Sequence, residues 1–154
     1  MKVRYFNCQD KLDPMHGTVI AGSGQLTKLL EDARRKPPFI AELKADNGFE
    51  VSMGISEKYG WVQYSNLDGN PPYLNAISAQ PHLKGGFLEF LDANTPTPIP
   101  ARYIISFDQL KDISIHFLET GKPSDAFSWE DFDPEAVREA AGGNLQWQMP
   151  GESP

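Results

Sequence analysis

The stretch FIAELKADNGFEVSMGI, residues 39–55, decides the fold of this chain. Apolar side chains stand at every second position on both sides of its centre, which is typical of two strands that each bury one face. At the centre, Asn47-Gly48 suits a two-residue turn, because both residue types accept positive φ angles. The stretch therefore predicts a β-hairpin, and its buried face carries Phe39, Ala41, Leu43, Ala45, Phe49, Val51, Met53 and Ile55.

On the N-terminal side of the hairpin, the pattern predicts a strand at residues 2–8 and then a helix. Ser23 is the expected N-cap of this helix, because a serine oxygen can accept a bond from a free amide of the first turn. Its apolar positions follow the three-four spacing of one buried helix face and are Leu26, Leu29, Leu30 and Ala33. Pro37-Pro38 ends the helix.

On the C-terminal side, strands are predicted at residues 59–65, 87–92 and 103–105. Residues 95–100 hold three prolines and are expected to be neither a central strand nor a helix. Ser106 and Gln109 have the spacing of a capping box and mark the start of a second helix. Gly121 suits the left-handed position that follows a helix end. One more short helix is expected at residues 134–141.

These elements indicate one α+β domain over residues 1–141, followed by a flexible C-terminal tail at residues 142–154. We expect an antiparallel sheet of about five to six strands with two main helices packed on one face. The order of strands around residues 72–105 stays open at this point. The other face of the sheet is expected to be partly open, with Glu42, Lys44 and Tyr64 on it.

Charge is distributed unevenly along the 154 residues. The chain has 14 basic and 21 acidic residues, a net charge of −7, and residues 119–154 alone hold two basic and eight acidic residues, a net of −6. This disfavours direct nucleic-acid binding, which needs a basic surface. The acidic segment is either a solvated tail or the docking surface for an electropositive partner. Phe127, Trp129 and Phe132 within it argue against a purely solvating segment, because such segments are poor in aromatic residues. They suggest that the segment either docks onto the domain or forms an interface with a partner.

Catalytic and metal-binding patterns are weak in this sequence. His16, His82 and His116 lie far apart, and none has a neighbour at metal-ligand spacing. Cys8 is the single cysteine, and Gly22-Ser23-Gly24 lacks the lysine of a phosphate loop. We therefore predict no catalytic residues, no metal and no cofactor. The start of the chain has no secretory pattern and no segment has the length of a membrane span, so we expect a cytoplasmic protein without membrane contact.

Between Leu26 and Trp129 the chain resembles immunity protein family one of bacterial polymorphic-toxin systems. The resemblance lies mainly in the segment around the second helix: Tyr103-Ile104-Ile105-Ser106-Phe107, Leu110, Phe117-Leu118, Gly121, Pro123 and Trp129-Glu130. The Asn47-Gly48 hairpin and the strand that contains Trp61 support it. The proline-rich residues 94–100 depart from the short link expected in such a family.

The resemblance implies a non-enzymatic protein that binds and neutralises one toxin domain, often a deaminase or a nuclease. Charge and aromatic content then suggest two groups of partner contacts: Asp125, Trp129, Glu130, Asp131 and Asp133 in the acidic segment, and Trp61, Tyr64, Asp68 and Tyr73 in the middle of the chain. Two alternatives remain. One is a small enzyme that pairs Cys8 with His16 or His82, and the other is a chaperone or adaptor for a secreted client.

Overall fold

A computed structural model describes residues 1–133 and residue 135 of the chain. The predicted tail at 142–154, and all of the predicted helix at 134–141 except residue 135, lie outside the described residues. The described elements, in chain order, are β1 (Val3–Asn7), α1 (Ser23–Ala33), β2 (Phe39–Ala45), β3 (Phe49–Ile55), β4 (Tyr59–Asn66), β5 (Tyr73–Ile77), β6 (Phe87–Asp92), β7 (Thr95–Pro100), a 3₁₀ turn (Ala101–Tyr103), β8 (Ile105–Ser106), α2 (Phe107–Thr120) and β9 (Ser128–Asp131).

The predicted hairpin is confirmed and forms the centre of the sheet. Strands β2 and β3 pair antiparallel, with Phe39 opposite Ile55 and Leu43 opposite Val51. Gly48 takes a φ of 92°, which a residue with a side chain rarely adopts. Strand β4 continues the meander on β3, so the three central strands follow each other in sequence.

The described strands form one curled sheet in the order β7-β6-β2-β3-β4-β5-β9, with β1 beside β2 and β8 beside β4. The expected five to six strands were too few, because β5, β7 and β9 join the sheet in segments that lack a strand-like alternation of apolar residues. The strand predicted at 103–105 is displaced, since Tyr103 ends a 3₁₀ turn and β8 begins at Ile105. The expectation of a purely antiparallel sheet was also wrong, since β2 and β6 run parallel where Phe39 meets Leu91.

Both helices pack on the same face of the sheet, as predicted. The main core lies between them and the alternate residues of the hairpin, and it includes Leu26 and Leu30 from α1 and Leu110, Ile113 and Phe117 from α2. The four apolar positions predicted for the first helix are all buried. Removing this apolar surface from water is the main force that holds the helices on the sheet.

The opposite face of the sheet is covered at its centre by a second core. The expectation of a partly open face was therefore wrong for the centre of that face. This core contains Ile40, Trp61, Phe90, Ile99, Tyr103 and Ile104. A Cβ atom on Gly54 would lie 2.9 Å from atoms of the Phe90 ring. The ring therefore lies directly against the backbone of β3, and the β6–β7 hairpin folds over the sheet there.

The two helix starts differ from each other. Ser23 does not cap α1: Gly22 is the N-cap residue, without a side-chain bond, and the Gln25 side chain accepts a bond from the Ala21 amide at 2.6 Å. The predicted capping box at α2 is confirmed, because the Gln109 amide donates to the Ser106 hydroxyl at 3.0 Å and the reciprocal bond is 2.9 Å.

Candidate protein-binding surface

The acidic segment near the C-terminus is folded into the sheet as strand β9. Leu74 lies opposite Asp131 and Ile77 lies opposite Ser128, so β9 pairs along the whole of β5. Beyond the strand, the Phe132 amide donates to the carbonyl oxygen of Tyr73 at 2.9 Å. Sequence reasoning identified this segment by its charge and missed the strand. The carboxylates are thus presented from an ordered edge of the sheet.

Side chains on both faces of β9 anchor it to the domain. The Trp129 indole packs against the main core and donates to the Ser124 carbonyl at 2.8 Å. On the other face, Glu130 accepts a bond from Arg102 at 2.5 Å. The pair is partly exposed, with 53% of Arg102 and 31% of Glu130 accessible to solvent. An exposed pair of this kind contributes about 0–1 kcal/mol to stability, so it orients Glu130 more than it stabilises the fold.

The residues after β9 turn toward the second core. The Asp133 amide donates to the Tyr103 hydroxyl at 3.0 Å, and the Asp133 carboxylate accepts a bond from the Glu135 amide at 2.9 Å. The Phe132 ring lies 6.3 Å from the Tyr103 ring, yet 43% of its surface is exposed. Phe132 therefore offers an apolar side chain beside the carboxylates of β9.

Two of the predicted contact residues are buried in the free protein. Trp61 is 8% exposed, and its indole donates to the Asn75 side chain at 2.8 Å. Tyr64 is 7% exposed and stacks on Phe49 with 5.0 Å between ring centres. Burial also raises the pKa of Tyr64. The prediction that Tyr64 lies on the face away from the helices was wrong, because it belongs to the main core. That either residue contacts a partner stays a prediction.

Tyr73 lies beside the end of β9, and Asp68 lies in the β4–β5 turn that the Tyr73 hydroxyl contacts. The Tyr73 hydroxyl donates to the carbonyl of Gly69, the residue after Asp68. Tyr73 also holds Phe132 through its own carbonyl. Asp68 and Asp131 are exposed, and Asp125 is exposed in the turn that leads into β9. We call this surface the acidic edge, and its carboxylates are Asp68, Asp125, Glu130, Asp131 and Asp133.

The surroundings of Cys8, His16 and His82, the residues of the alternative enzyme site, are as follows in the structure. Cys8 is half-buried, and burial together with the nearby Glu42 carboxylate raises the pKa of its thiol, which keeps it protonated at neutral pH. The His16 ring accepts a bond from the Asn7 amide at 2.9 Å, and His82 lies 3.0 Å from the Gln109 side chain. Within the described residues, no group of three or more His, Cys, Asp and Glu side chains could hold a metal ion.

A basic cleft of about 520 Å³ opens where α1 ends, next to the β3–β4 turn. Its lining includes the basic residues Arg35, Lys36 and Lys58 and also Glu57 and Glu89. Arg34 also lies there, but its guanidinium stacks 3.9 Å above the Phe107 ring and donates to the Glu57 carbonyl. This arginine therefore ties α1 to the rest of the domain.

No protein-family model matches the chain, and no curated protein matches it. In the part of the chain that the structure describes, neither helix has the length and apolar character needed to cross a membrane.

Proposed function

We propose that this protein is an immunity protein that binds and neutralises a cognate bacterial toxin domain in the cytoplasm. The toxin we propose acts on nucleic acid, as a deaminase or a nuclease does. The single observation that carries the proposal is the acidic edge, where strand pairing holds the acidic segment of β9 at the margin of the sheet and the turn that contains Asp68 contacts Tyr73 of the neighbouring strand. The resemblance of residues 26–129 to immunity protein family one supports the same function.

Charge complementarity explains why such an edge suits such a toxin. A domain that acts on nucleic acid needs lysine and arginine side chains to hold phosphates. A row of carboxylates can pair with the same cations and so cover the substrate surface. Pairing with β5 already restricts β9, and the bond to Arg102 restricts Glu130. Less conformational entropy is therefore lost on binding than with a disordered acidic tail.

The environment of Cys8 supports this proposal over the enzyme alternative. A catalytic cysteine needs a lowered pKa and an adjacent base. Burial and Glu42 instead raise the pKa of Cys8, and His16 uses its Nδ1 atom to accept a backbone bond. Expressing the partner protein without this chain distinguishes an immunity role from a chaperone or adaptor role. A toxin expressed alone kills the cell, whereas the client of a chaperone expressed alone misfolds.

Co-expression with the toxin encoded beside its gene tests the proposed function directly. Cells that make both proteins should grow, cells that make the toxin alone should not, and the purified pair should form a complex with a nanomolar dissociation constant at physiological salt. An inactive toxin variant allows the affinity to be measured by calorimetry. If the proteins do not associate, or if growth is not restored, the proposed function is wrong.

Neutralising the exposed carboxylates tests the role of the acidic edge. We expect the triple variant Asp68→Asn, Asp125→Asn and Asp131→Asn to associate about tenfold more slowly at low salt, with the difference shrinking as salt rises. Glu130 is left intact because it pairs with Arg102. The matched control, Asp32→Asn, Asp46→Asn and Asp112→Asn, makes the same charge change at other exposed aspartates. Equal association rates for the two triple variants would show that the interface lies away from the acidic edge.

A further inference from the structure

Strand β7 forms one margin of the sheet, and proline blocks it. Its register with β6 places Ile99 opposite Leu88 and Thr97 opposite Phe90. Since proline has no N–H to donate, the main-chain groups of the odd-numbered residues bond to β6. The main-chain groups of the even-numbered residues, which are the prolines, point away from β6. Those outward positions are Pro96, Pro98 and Pro100. A further strand would find no hydrogen-bond donor along this margin.

Strand β1 has a free side as well, but another segment of the chain covers it. The Tyr5 amide donates to the Thr18 carbonyl at 3.0 Å, and the Ile20 amide donates to the Val3 carbonyl at 2.9 Å. A bridge between Arg4 and Val19 lies between these bonds. Proteins commonly protect sheet margins with prolines or covering segments, because an open margin can pair with another chain.

Strand β9 lacks both kinds of protection in the part of the chain that the structure describes. The Phe132 amide donates to the Tyr73 carbonyl, so Phe132 and Tyr73 are a hydrogen-bonded pair of the antiparallel ladder. Such pairs recur at every second residue of each strand. Glu130 and Ser128 therefore also bond to β5. Trp129 and Asp131 must direct their N–H and C=O groups outward, and within the described residues these four groups have no hydrogen-bond partner.

We propose that the outer margin of β9 accepts an extended, basic segment of the toxin as the next strand of the sheet. This inference depends on the proposed function and adds the mode of binding. Main-chain bonds at Trp129 and Asp131 would supply affinity, as in other cases of strand addition. The flanking carboxylates would select lysine and arginine side chains. A second copy of this chain suits the margin poorly, because pairing two β9 strands would bring their carboxylates together.

Residue-resolved amide hydrogen exchange tests this binding mode. In the free protein, the Trp129 and Asp131 amides should exchange much faster than those of Ser128, Glu130 and Phe132. In the toxin complex, we expect the exchange of Trp129 and Asp131 to slow at least a hundredfold. A complex without this protection overturns strand addition and leaves the proposed function standing. The absence of any complex overturns both.

Two other results of the exchange experiment would also contradict the inference. If Trp129 and Asp131 are already protected in the free protein at low concentration, residues 134–154 of the same chain cover the margin. If their protection grows with protein concentration in the absence of toxin, a second copy occupies it.

A proline substitution provides an independent check. Asp131→Pro removes an outward N–H but no bond to β5, so we expect the variant to fold and to bind the toxin about tenfold more weakly than Asp131→Asn. Asp131→Asn controls for the lost charge. Equal affinities of the two variants would refute a main-chain bond at this position. If Asp131→Pro does not fold, the hydrogen-exchange experiment still tests whether the toxin pairs with the margin of β9.

Discussion

Asn75→Ala should be strongly destabilising, although it removes a polar side chain from a largely apolar environment. Asn75 is fully buried on β5, directly opposite Glu130 of β9. Its side-chain oxygen accepts a bond from the Trp61 indole at 2.8 Å and a longer one from Gln63 at 3.4 Å. Alanine would leave the Trp61 N–H without an acceptor at a position where the indole is 8% exposed.

The size of the effect follows from this unpaired donor. Leaving a buried donor without a partner costs about 1–3 kcal/mol, and the volume of the lost amide adds to this, so we expect a loss of about 2–3 kcal/mol in the free energy of unfolding. For a chain of this length, the melting temperature should fall by roughly 5–10 °C. Trp61→Phe removes the donor itself, so the two substitutions should not be additive.

Urea unfolding of the four proteins in a double-mutant cycle measures both quantities. Circular dichroism is the appropriate signal, because Trp61→Phe alters the fluorescence. We expect a coupling energy of about 1 kcal/mol or more between Trp61 and Asn75. A loss below about 0.5 kcal/mol for Asn75→Ala, or additive effects in the cycle, would refute the argument that this bond holds the second core against β5.

Three further substitutions test other contacts. Gly54→Ala should lower the free energy of unfolding by about 1–3 kcal/mol, because the new Cβ would lie 2.9 Å from the Phe90 ring. Adding Phe90→Leu should restore part of this loss, as measured by urea unfolding. No restoration would contradict the steric cause. Ser106→Ala should lower the free energy of unfolding by about 1 kcal/mol, because it removes the acceptor for the Gln109 amide. Ser106→Thr keeps an acceptor and should be nearly neutral. Equal losses for the two variants would argue against a stabilising role of the cap. Burial, and then the Glu42 charge, raise the pKa of Glu50, so its contribution to stability is present below its ordinary pKa and is lost as pH rises through the raised value. Glu50→Gln should therefore stabilise the protein at neutral pH and flatten this dependence, and an unchanged pH profile of melting temperature would contradict it.

Much of the central fold could be predicted from local sequence. The 39–55 hairpin, the strand after it and the start of α2 each depend on interactions between residues that are close in the chain. Asn47-Gly48 and the Ser106–Gln109 box are examples, because turn and cap geometry involves four residues or fewer. The buried positions of α1 follow from spacing for the same reason.

The candidate site could be predicted only in part. Charge counting along the chain identified Asp125, Glu130, Asp131 and Asp133, but the pairing that makes them an edge strand involves β5, more than 50 residues away in sequence. The sequence left open whether Trp61 and Tyr64 are buried or contact a partner, because an aromatic residue in a strand suits a core and an interface equally well.

The sequence by itself determined the hairpin, the two helices and the excess of negative charge near the C-terminus, since each is a property of neighbouring residues. The tertiary structure alone decided which margins of the sheet are protected. Pro96, Pro98 and Pro100 face outward because β7 pairs with β6 in a particular register, and Trp129 and Asp131 face outward because β9 pairs with β5 in another. A shift of one residue in either register would reverse the direction of every N–H and C=O group along that strand.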